Sequence, residues 1–419
     1  MRLCRTKAAK CESSPTIHGL DRHARVPVSF VTLTSVHMRK NSIVMPRSTY
    51  IHVPFCAHRC GYCDFTLIAG RDDLIGDYLH ALHREMEAGL REVGTPELDT
   101  LFFGGGTPTH PSCDQLRELF RIVFSQFRLA PGAEVSVEAN PLDLTDEKID
   151  VLADAGVNRI SLGVQSFLPS TLTLLELDHT QSDIEDVIHR LRRRFHNVSL
   201  DLIFGVPGQS LADWRDALQR AIAFCPEHIS TYGLTWEAGT AFGTRRDRGE
   251  LAPVDEELER DQYAAAMEAL MAAGFEHYEI SNFAKPGFRC RHNEVYWAGA
   301  EYWAFGPGAA RYLNGRRETN IRSVLGWLAR IEHGQSPVVD SEELEPQHRA
   351  RELLFLGLRR SEGITRADFR SQSGFGLDDI AGHAILENVT RGWLEQTETG
   401  IRLTREGRFV ADRIVADFL

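Results

Sequence analysis

The sequence predicts an α/β protein built on a parallel sheet, and three observations carry that prediction. From residue 49 onward, short apolar runs alternate about six times with longer stretches of helical spacing. Several of the short runs are almost continuously apolar, as strands covered on both faces are. The side chains with chemistry stand at the ends of those runs, where parallel α/β folds form their sites. Repeated strand–helix–strand units with right-handed crossovers give either a barrel or an open doubly wound sheet, and the spacing fits both.

Strands are expected at residues 49–54, 100–103, 134–139, 159–164, 198–204 and 228–234. The first helix is expected at 73–93, where Leu74, Tyr78, Leu82, Met86 and Leu90 recur at helical spacing. Further helices follow at 114–127, 146–155, 211–224 and 256–273. A basic, glycine-containing stretch near 314–319 reads as the link to a second region. There, 349–358 and 381–391 read as helices, 393–399 with 400–403 as a hairpin, and 404–419 as a terminal helix with Thr404 as N-cap. Helices followed by a hairpin resemble a winged helix. Acidic residues are interspersed throughout it, so a packing or lid role is expected rather than nucleic-acid binding. The expected division is an extension at 1–47, a barrel core at 48–310, and a linker with a C-terminal domain at 311–419.

A chain of 419 residues has core enough for two or three domains. It shows no apolar run of about 18 residues, so no membrane span is expected. A net charge of −12 argues against a broad electrostatic footprint for nucleic acid. The first 47 residues differ: nine Lys and Arg stand against Glu12 and Asp21, without a signal-peptide core. They are expected to be disordered, a transit peptide or a start placed too early, with Met38 and Met45 as alternative starts. Eight cysteines are too few and too scattered for a secreted disulfide scaffold and fit a reducing cytoplasm. Cys113 and Cys225, in helix-like segments, are expected to be buried packing residues.

Cys56, Cys60 and Cys63 form a C-x3-C-x2-C loop after the first strand. Iron–sulfur clusters are usually held by four thiolates, so three would leave one iron of a [4Fe–4S] cluster open to a small molecule. Zinc completed by His52 or His58 is the competing reading. Phe55, Tyr62 and Phe65 are expected to shield the loop. The run Gly104-Gly-Gly-Thr-Pro108 follows the second strand. It is either a tight turn or a place where backbone closely approaches a ligand. It lacks the Gly-Lys-Ser/Thr ending of a phosphate loop. Glu138, Gln165 and Asp201 are polar positions within apolar strands. Buried carboxylates are costly unless paired, so a ligand with hydroxyls and an ammonium is the candidate partner.

The cysteine loop, Gly-Gly-Gly-Thr-Pro, Glu138-Ala-Asn-Pro141, Gly163-Val-Gln-Ser-Phe167 and Asp201-Leu-Ile-Phe-Gly-Val-Pro-Gly-Gln209 together resemble the radical SAM superfamily. Within it they resemble the branch that holds oxygen-independent coproporphyrinogen III oxidases and the HemW heme chaperones. The resemblance runs from about Tyr50 to the C-terminus. It implies a partial, TIM-like (β/α)6 barrel and a winged-helix-like HemN C-terminal domain. It implies that Cys56, Cys60 and Cys63 hold a [4Fe–4S] cluster. It also implies that Tyr50, Tyr62, Gly105, Gly106, Thr107, Glu138, Gln165 and Asp201 contact S-adenosylmethionine (SAM).

Two features separate the branches. The oxidases carry a fourth cysteine where this chain has Phe65, and an N-terminal arm that residues 1–47 do not resemble. The segment His292-Asn293-Glu-Val-Tyr296-Trp297 resembles the H-N-x-x-Y-W motif of the HemW group. Histidine can ligate heme iron and aromatic rings can stack on a porphyrin. His292 is therefore a candidate heme ligand, with a hydrogen-bonded core histidine as the equal alternative; His52 is a second candidate. Leu177 replaces the family's usual arginine, a change for which His179 or Arg190 is expected to compensate. The resemblance implies a cytoplasmic chaperone that carries heme as cargo to hemoproteins, some at the membrane, where it would sit peripherally. The alternative is SAM-dependent oxidative decarboxylation of coproporphyrinogen III.

Overall fold

The computed structural model describes residues 45–418. The expected basic extension lies outside the described residues up to residue 44. Its last member, Arg47, pairs with Asp99 and Glu97 at the foot of the sheet.

β1 (Ser48–Val53) is followed by two-residue strands β2 (Phe55–Cys56) and β3 (Ile68–Ala69), whose parallel pairing pinches the cysteine loop. Then come α1 (Ile75–Leu90), β4 (Glu97–Gly105), α2 (Cys113–Gln126), β5 (Arg128–Ala139), α3 (Asp146–Asp154) and β6 (Arg159–Gln165). α4 (Pro169–Leu174), α5 (Gln181–Leu191), β7 (Val198–Phe204), α6 (Leu211–Ala223) and β8 (His228–Gly233) complete the repeat. Capping boxes at Ser112–Gln115, Thr180–Asp183 and Ser210–Asp213 start three of the helices.

The six expected strands are present and lie side by side in chain order, β1-β4-β5-β6-β7-β8, all parallel. A doubly wound sheet reverses its strand order at a switch point. This one does not, so it curls one way into a partial barrel. α7 (Ala241–Asp247), α8 (Glu256–Ala272), β9 (Glu276–Glu279), β10 (Asn282–Ala284), α9 (Arg291–Trp297) and β11 (Trp303–Phe305) extend it. β11 adds in parallel outside β1, while β10 and β9 add antiparallel beyond β8.

The two faces of the sheet differ because successive side chains point to opposite sides. Ile51, Val53, Leu101, Phe103, Val135, Val137, Ile160, Leu162, Leu200 and Leu202 pack with the helices in the main core. Their sequence neighbours face the concave side and are largely polar: Glu134, Ser136 and Glu138 on β5, Arg159 and Ser161 on β6, Ser199 and Asp201 on β7.

The stretch read as a linker is ordered sheet. β12 (Ala310–Leu313), β13 (Arg316–Asn320) and β14 (Val338–Glu343) pair antiparallel, with α10 (Val324–Glu332) between them. The buried Glu85 of α1 ties this unit to the barrel. It accepts hydrogen bonds from Gly306 N (2.9 Å), Asn320 Nδ2 (2.6 Å) and Trp327 Nε1 (3.1 Å). Burial pushes its carboxyl up to about 7.

The C-terminal unit runs α11 (Pro346–Leu358), β15 (Ile364–Thr365), α12 (Arg366–Ser373), α13 (Leu377–Thr390), β16 (Leu394–Gln396) and β17 (Gly400–Leu403). α14 (Arg405–Phe409) and α15 (Ala411–Ala416) end it, the expected single terminal helix being broken at Val410. Strand order β15-β17-β16 with three helices is a winged-helix arrangement around its own core of Leu354, Phe369, Ile385, Ile401 and Ile414. It docks on the barrel through the Tyr263–Phe409 edge contact, an Arg408–His277 hydrogen bond and the Arg405–Glu268 ion pair. Its α13 carries Asp378, Asp379 and Glu387, so the helix that reads DNA in many winged helices is acidic here.

Two cysteine expectations fail. Cys113 is half-buried, and Cys225 is exposed just beyond α6.

Candidate functional site

The site is assembled at the carboxyl ends of the parallel strands. The six cysteines among the described residues are all free thiols. Cys56 is buried at the end of β2, and its sulfur lies 3.2 Å from Thr107 Oγ1 at the end of the glycine run. Cys60 and Cys63 share a turn, with Cys63 N donating to Cys60 O at 3.0 Å. Arg59 fastens the loop from within, donating to the carbonyls of Cys63, Phe65 and Leu67. Burial pushes the Cys56 thiol up to about 11 and the Cys60 thiol to about 12, and the neighbouring thiols add to both shifts. Burial also raises Cys63. Such thiols lose their protons when a metal takes the sulfurs. Among the described residues, no group of three His, Cys, Asp or Glu side chains is arranged to hold a metal ion.

Phe55 is fully buried and Tyr62 partly buried, set edge-on to Phe242 at 6.2 Å. Phe65 does not shield the loop: it is 52% exposed, because it follows the last cysteine and turns outward.

The glycine run is shaped by the protein's own neighbours. Gly105 has φ +119°, and a Cβ there would lie 2.6 Å from the His52 ring. A Cβ on Gly106 would lie 2.8 Å from Phe55 O. Gly106 N and Thr107 N donate to Val53 O and Phe55 O, which locks the turn to the cysteine loop. Gly105 N donates to Glu138 Oε2 at 3.1 Å.

Tyr50, Glu138, Gln165 and Asp201 line the concave side, each partly accessible from the mouth. Desolvation, with Asp201 nearby, pushes Glu138 up to about 7. Burial also raises Asp201, which accepts from Ser161 Oγ (2.9 Å) and Ser199 Oγ (3.3 Å). Gln165 ends β6 with φ +59°, an unusual backbone state for a non-glycine residue that is common at functional sites.

The H-N-x-x-Y-W segment reaches the same concave side, where the Phe102 ring stands between Tyr50 and His292. The segment forms α9, which closes the foot of the concave side. Glu134 accepts the backbone N–H groups of Arg291 (2.9 Å) and His292 (3.1 Å) at the start of that helix. His292 is buried and stacked on Phe102 at 5.2 Å. Both its ring nitrogens have partners: Thr100 Oγ1 at 2.8 Å and Tyr296 Oη at 2.9 Å. Burial lowers it to about 3, so it is neutral. In this arrangement both ring nitrogens of His292 are hydrogen-bonded within the protein, as they are in a core histidine. His52 is likewise buried, bonded to Tyr50 Oη (3.0 Å) and Thr66 O (2.7 Å). Trp297 is buried under the Arg359 guanidinium at 4.6 Å, and Asn293 is half-buried.

Leu177 packs in an apolar cluster with Leu175, Ile203 and Phe242. His179 is bonded to Val164 O at 2.9 Å, and Arg190 reaches Leu144 O and Asp186, so both are committed to other partners. Sequence reading also passed over Arg159, a guanidinium sunk in the concave floor at 2% exposure.

The radical SAM superfamily model matches residues 50–221, and the HemN C-terminal domain model matches 344–410. A heme chaperone HemW of Bacillus subtilis (strain 168) is 36% identical over 375 residues, covering 89% of this chain and 99% of that protein. A heme chaperone HemW of Synechocystis sp. is 38% identical over 371 residues, covering 85% and 88%. The mitochondrial radical S-adenosyl methionine domain-containing protein 1 of Mus musculus is 32% identical over 385 residues, covering 88% and 86%. The solved coproporphyrinogen III oxidase HemN from Escherichia coli, a radical SAM enzyme, superposes with a TM-score of 0.79 at 20% identity, over 89% of this chain and 90% of that one. That last likeness is one of fold. With the cysteine loop, glycine run and polar strand ends gathered on one rim, these matches place the chain in the HemW family of the radical SAM superfamily.

Proposed function

We propose that this protein is a heme chaperone that carries a SAM-bound [4Fe–4S] cluster, binds heme and passes it to hemoproteins. The observation that carries the reading is the likeness, over nearly the full chain, to relatives named heme chaperone HemW. Cys56, Cys60 and Cys63 would hold three irons, leaving the fourth for SAM. When bound, the cluster would supply an electron relay and a docking point for the methionine end of SAM. Glu138 and Asp201 present carboxylates suited to an ammonium and to ribose hydroxyls. Gly105 to Thr107 bring backbone close to the same place, and Tyr50 and Tyr62 flank it. Phe65, where a further thiolate would stand in the oxidase branch, favours the chaperone over porphyrin decarboxylation. No helix among the described residues is long and apolar enough to cross a membrane, so delivery to membrane-bound recipients would occur from the membrane surface.

Heme titration of the anaerobically reconstituted protein tests the reading. A saturable Soret shift at one heme per chain is expected; absence of any saturable shift overturns it.

A further inference from the structure

Another buried histidine stands in the wall of the concave side, and none of the roles above uses it. His228, the first residue of β8, is fully buried, as is Ser199 on β7, and Tyr278 on β9 is 1% exposed. Ser199 Oγ lies 3.3 Å from Asp201 Oδ1 and 2.8 Å from His228 Nδ1. His228 Nε2 lies 2.8 Å from Tyr278 Oη, and Cys290 N donates to that same Oη at 3.3 Å. These contacts run in series from the backbone ahead of α9 to a carboxylate at the mouth.

The series has one direction. Asp201 also takes the Ser161 hydroxyl at 2.9 Å and, ionised, only accepts. Ser199 therefore spends its single proton on Asp201 and must accept from His228, which puts the imidazole proton on Nδ1. Burial lowers His228 well below its ordinary range, so it carries one proton, and its Nε2 is left to accept from the Tyr278 hydroxyl. Tyr278 is itself held from the C-terminal unit, where Ser361 N donates to its carbonyl at 2.9 Å. The Arg289 guanidinium covers its ring at 5.5 Å. Apolar side chains could replace a buried polar row with little loss if packing were its whole task. The row formed by Tyr296, His292 and Thr100 ends on a hydroxyl, whereas this one ends on a carboxylate read as a SAM contact.

We propose that His228 is a positioning residue for SAM: oriented by Tyr278, it fixes the Ser199 hydroxyl toward Asp201 and so holds that carboxylate in place for the ligand's hydroxyls. Neither His228 nor Tyr278 touches the ligand. The proposal rests on the reading of Asp201 as a SAM contact. Without the Tyr278 hydroxyl the imidazole proton is free to move to Nε2. Nδ1 then accepts from Ser199 and draws its proton away from Asp201.

The test is the dissociation constant of SAM for the cluster-loaded chain, read by anaerobic equilibrium dialysis. Tyr278→Phe keeps the ring and removes only the hydroxyl, and it should weaken SAM about three- to tenfold, the scale of one hydrogen bond. Ser199→Ala should weaken it by a similar factor. The double variant should stay within about twofold of Ser199→Ala alone, because both changes act through one proton. A Tyr278 that only supports the fold would give losses that multiply. If Tyr278→Phe does not fold, two replacements of His228 decide. His228→Asn keeps a donor near the Nδ1 position and should retain wild-type affinity, whereas His228→Leu should show the Ser199→Ala loss. Wild-type affinity in Tyr278→Phe, losses that multiply in the double variant, or equal affinities in His228→Asn and His228→Leu would overturn the proposal. Wild-type affinity in Asp201→Ala would instead overturn the parent reading.

Discussion

His292 shows how a residue's surroundings decide its role. The motif singles it out, yet Thr100 and Tyr296 occupy both nitrogens and Phe102 covers its ring. Replacing it with alanine should leave the heme spectrum and affinity unchanged and cost about 2–4 kcal/mol of stability, from two buried hydrogen bonds and a cavity; urea unfolding beside a heme titration reads both. Glu85 gives a pH signature. Its native carboxyl sits near 7, above the ordinary 4.5, so the native state binds the proton more tightly than the unfolded chain does. That contribution is present at low pH and is lost as pH rises from 4.5 through 7. Relative to Glu85→Gln, the wild type should therefore lose about 1.4 kcal/mol per pH unit across that window. Equal pH slopes for the two proteins would contradict this. Neither side chain's situation was legible in the sequence: a lone Glu in a helix and a lone His after a cysteine look alike whether buried or exposed.

At the scale of elements, the sequence was legible where a single period dominates. Val198–Phe204 is bounded as expected because Val198, Leu200, Leu202, Ile203 and Phe204 make its run mostly apolar. α5 escaped notice although Thr180 and Asp183 form its capping box and Ile184, Val187, Ile188 and Leu191 its buried stripe. The strands β9, β10 and β11 are three or four residues long, too short to show a period. The segment read as a linker is a hairpin whose arginines pair with acids across strands, as Arg311 does with Glu318, and alternating charge reads as loop when the partner strand is unseen. The cysteine loop has no regular structure beyond two-residue strands, so its shape depends on Arg59. Arg59→Ala should speed iron loss to a chelator several-fold while leaving the unfolding free energy within about 0.5 kcal/mol of the wild type, as surface changes do. An unchanged chelation rate would show that the loop holds itself.

For the molecule as a whole, the alternation of apolar and polar positions along the strands produces both the fold and the site. One face builds the helix-covered core and the other a polar trough, and parallel strands open that trough at the end where the cysteines lie. The motifs at strand ends made this rim legible; the floor, with Arg159 and Glu134, needed coordinates because nothing local marks it. The central claim is that this scaffold carries heme rather than decarboxylates porphyrins. Incubating clean, iron-loaded protein anaerobically with coproporphyrinogen III, SAM and a reductant tests it most directly. The account predicts no protoporphyrinogen above the protein-free control, and formation of protoporphyrinogen in multiple turnovers would contradict it.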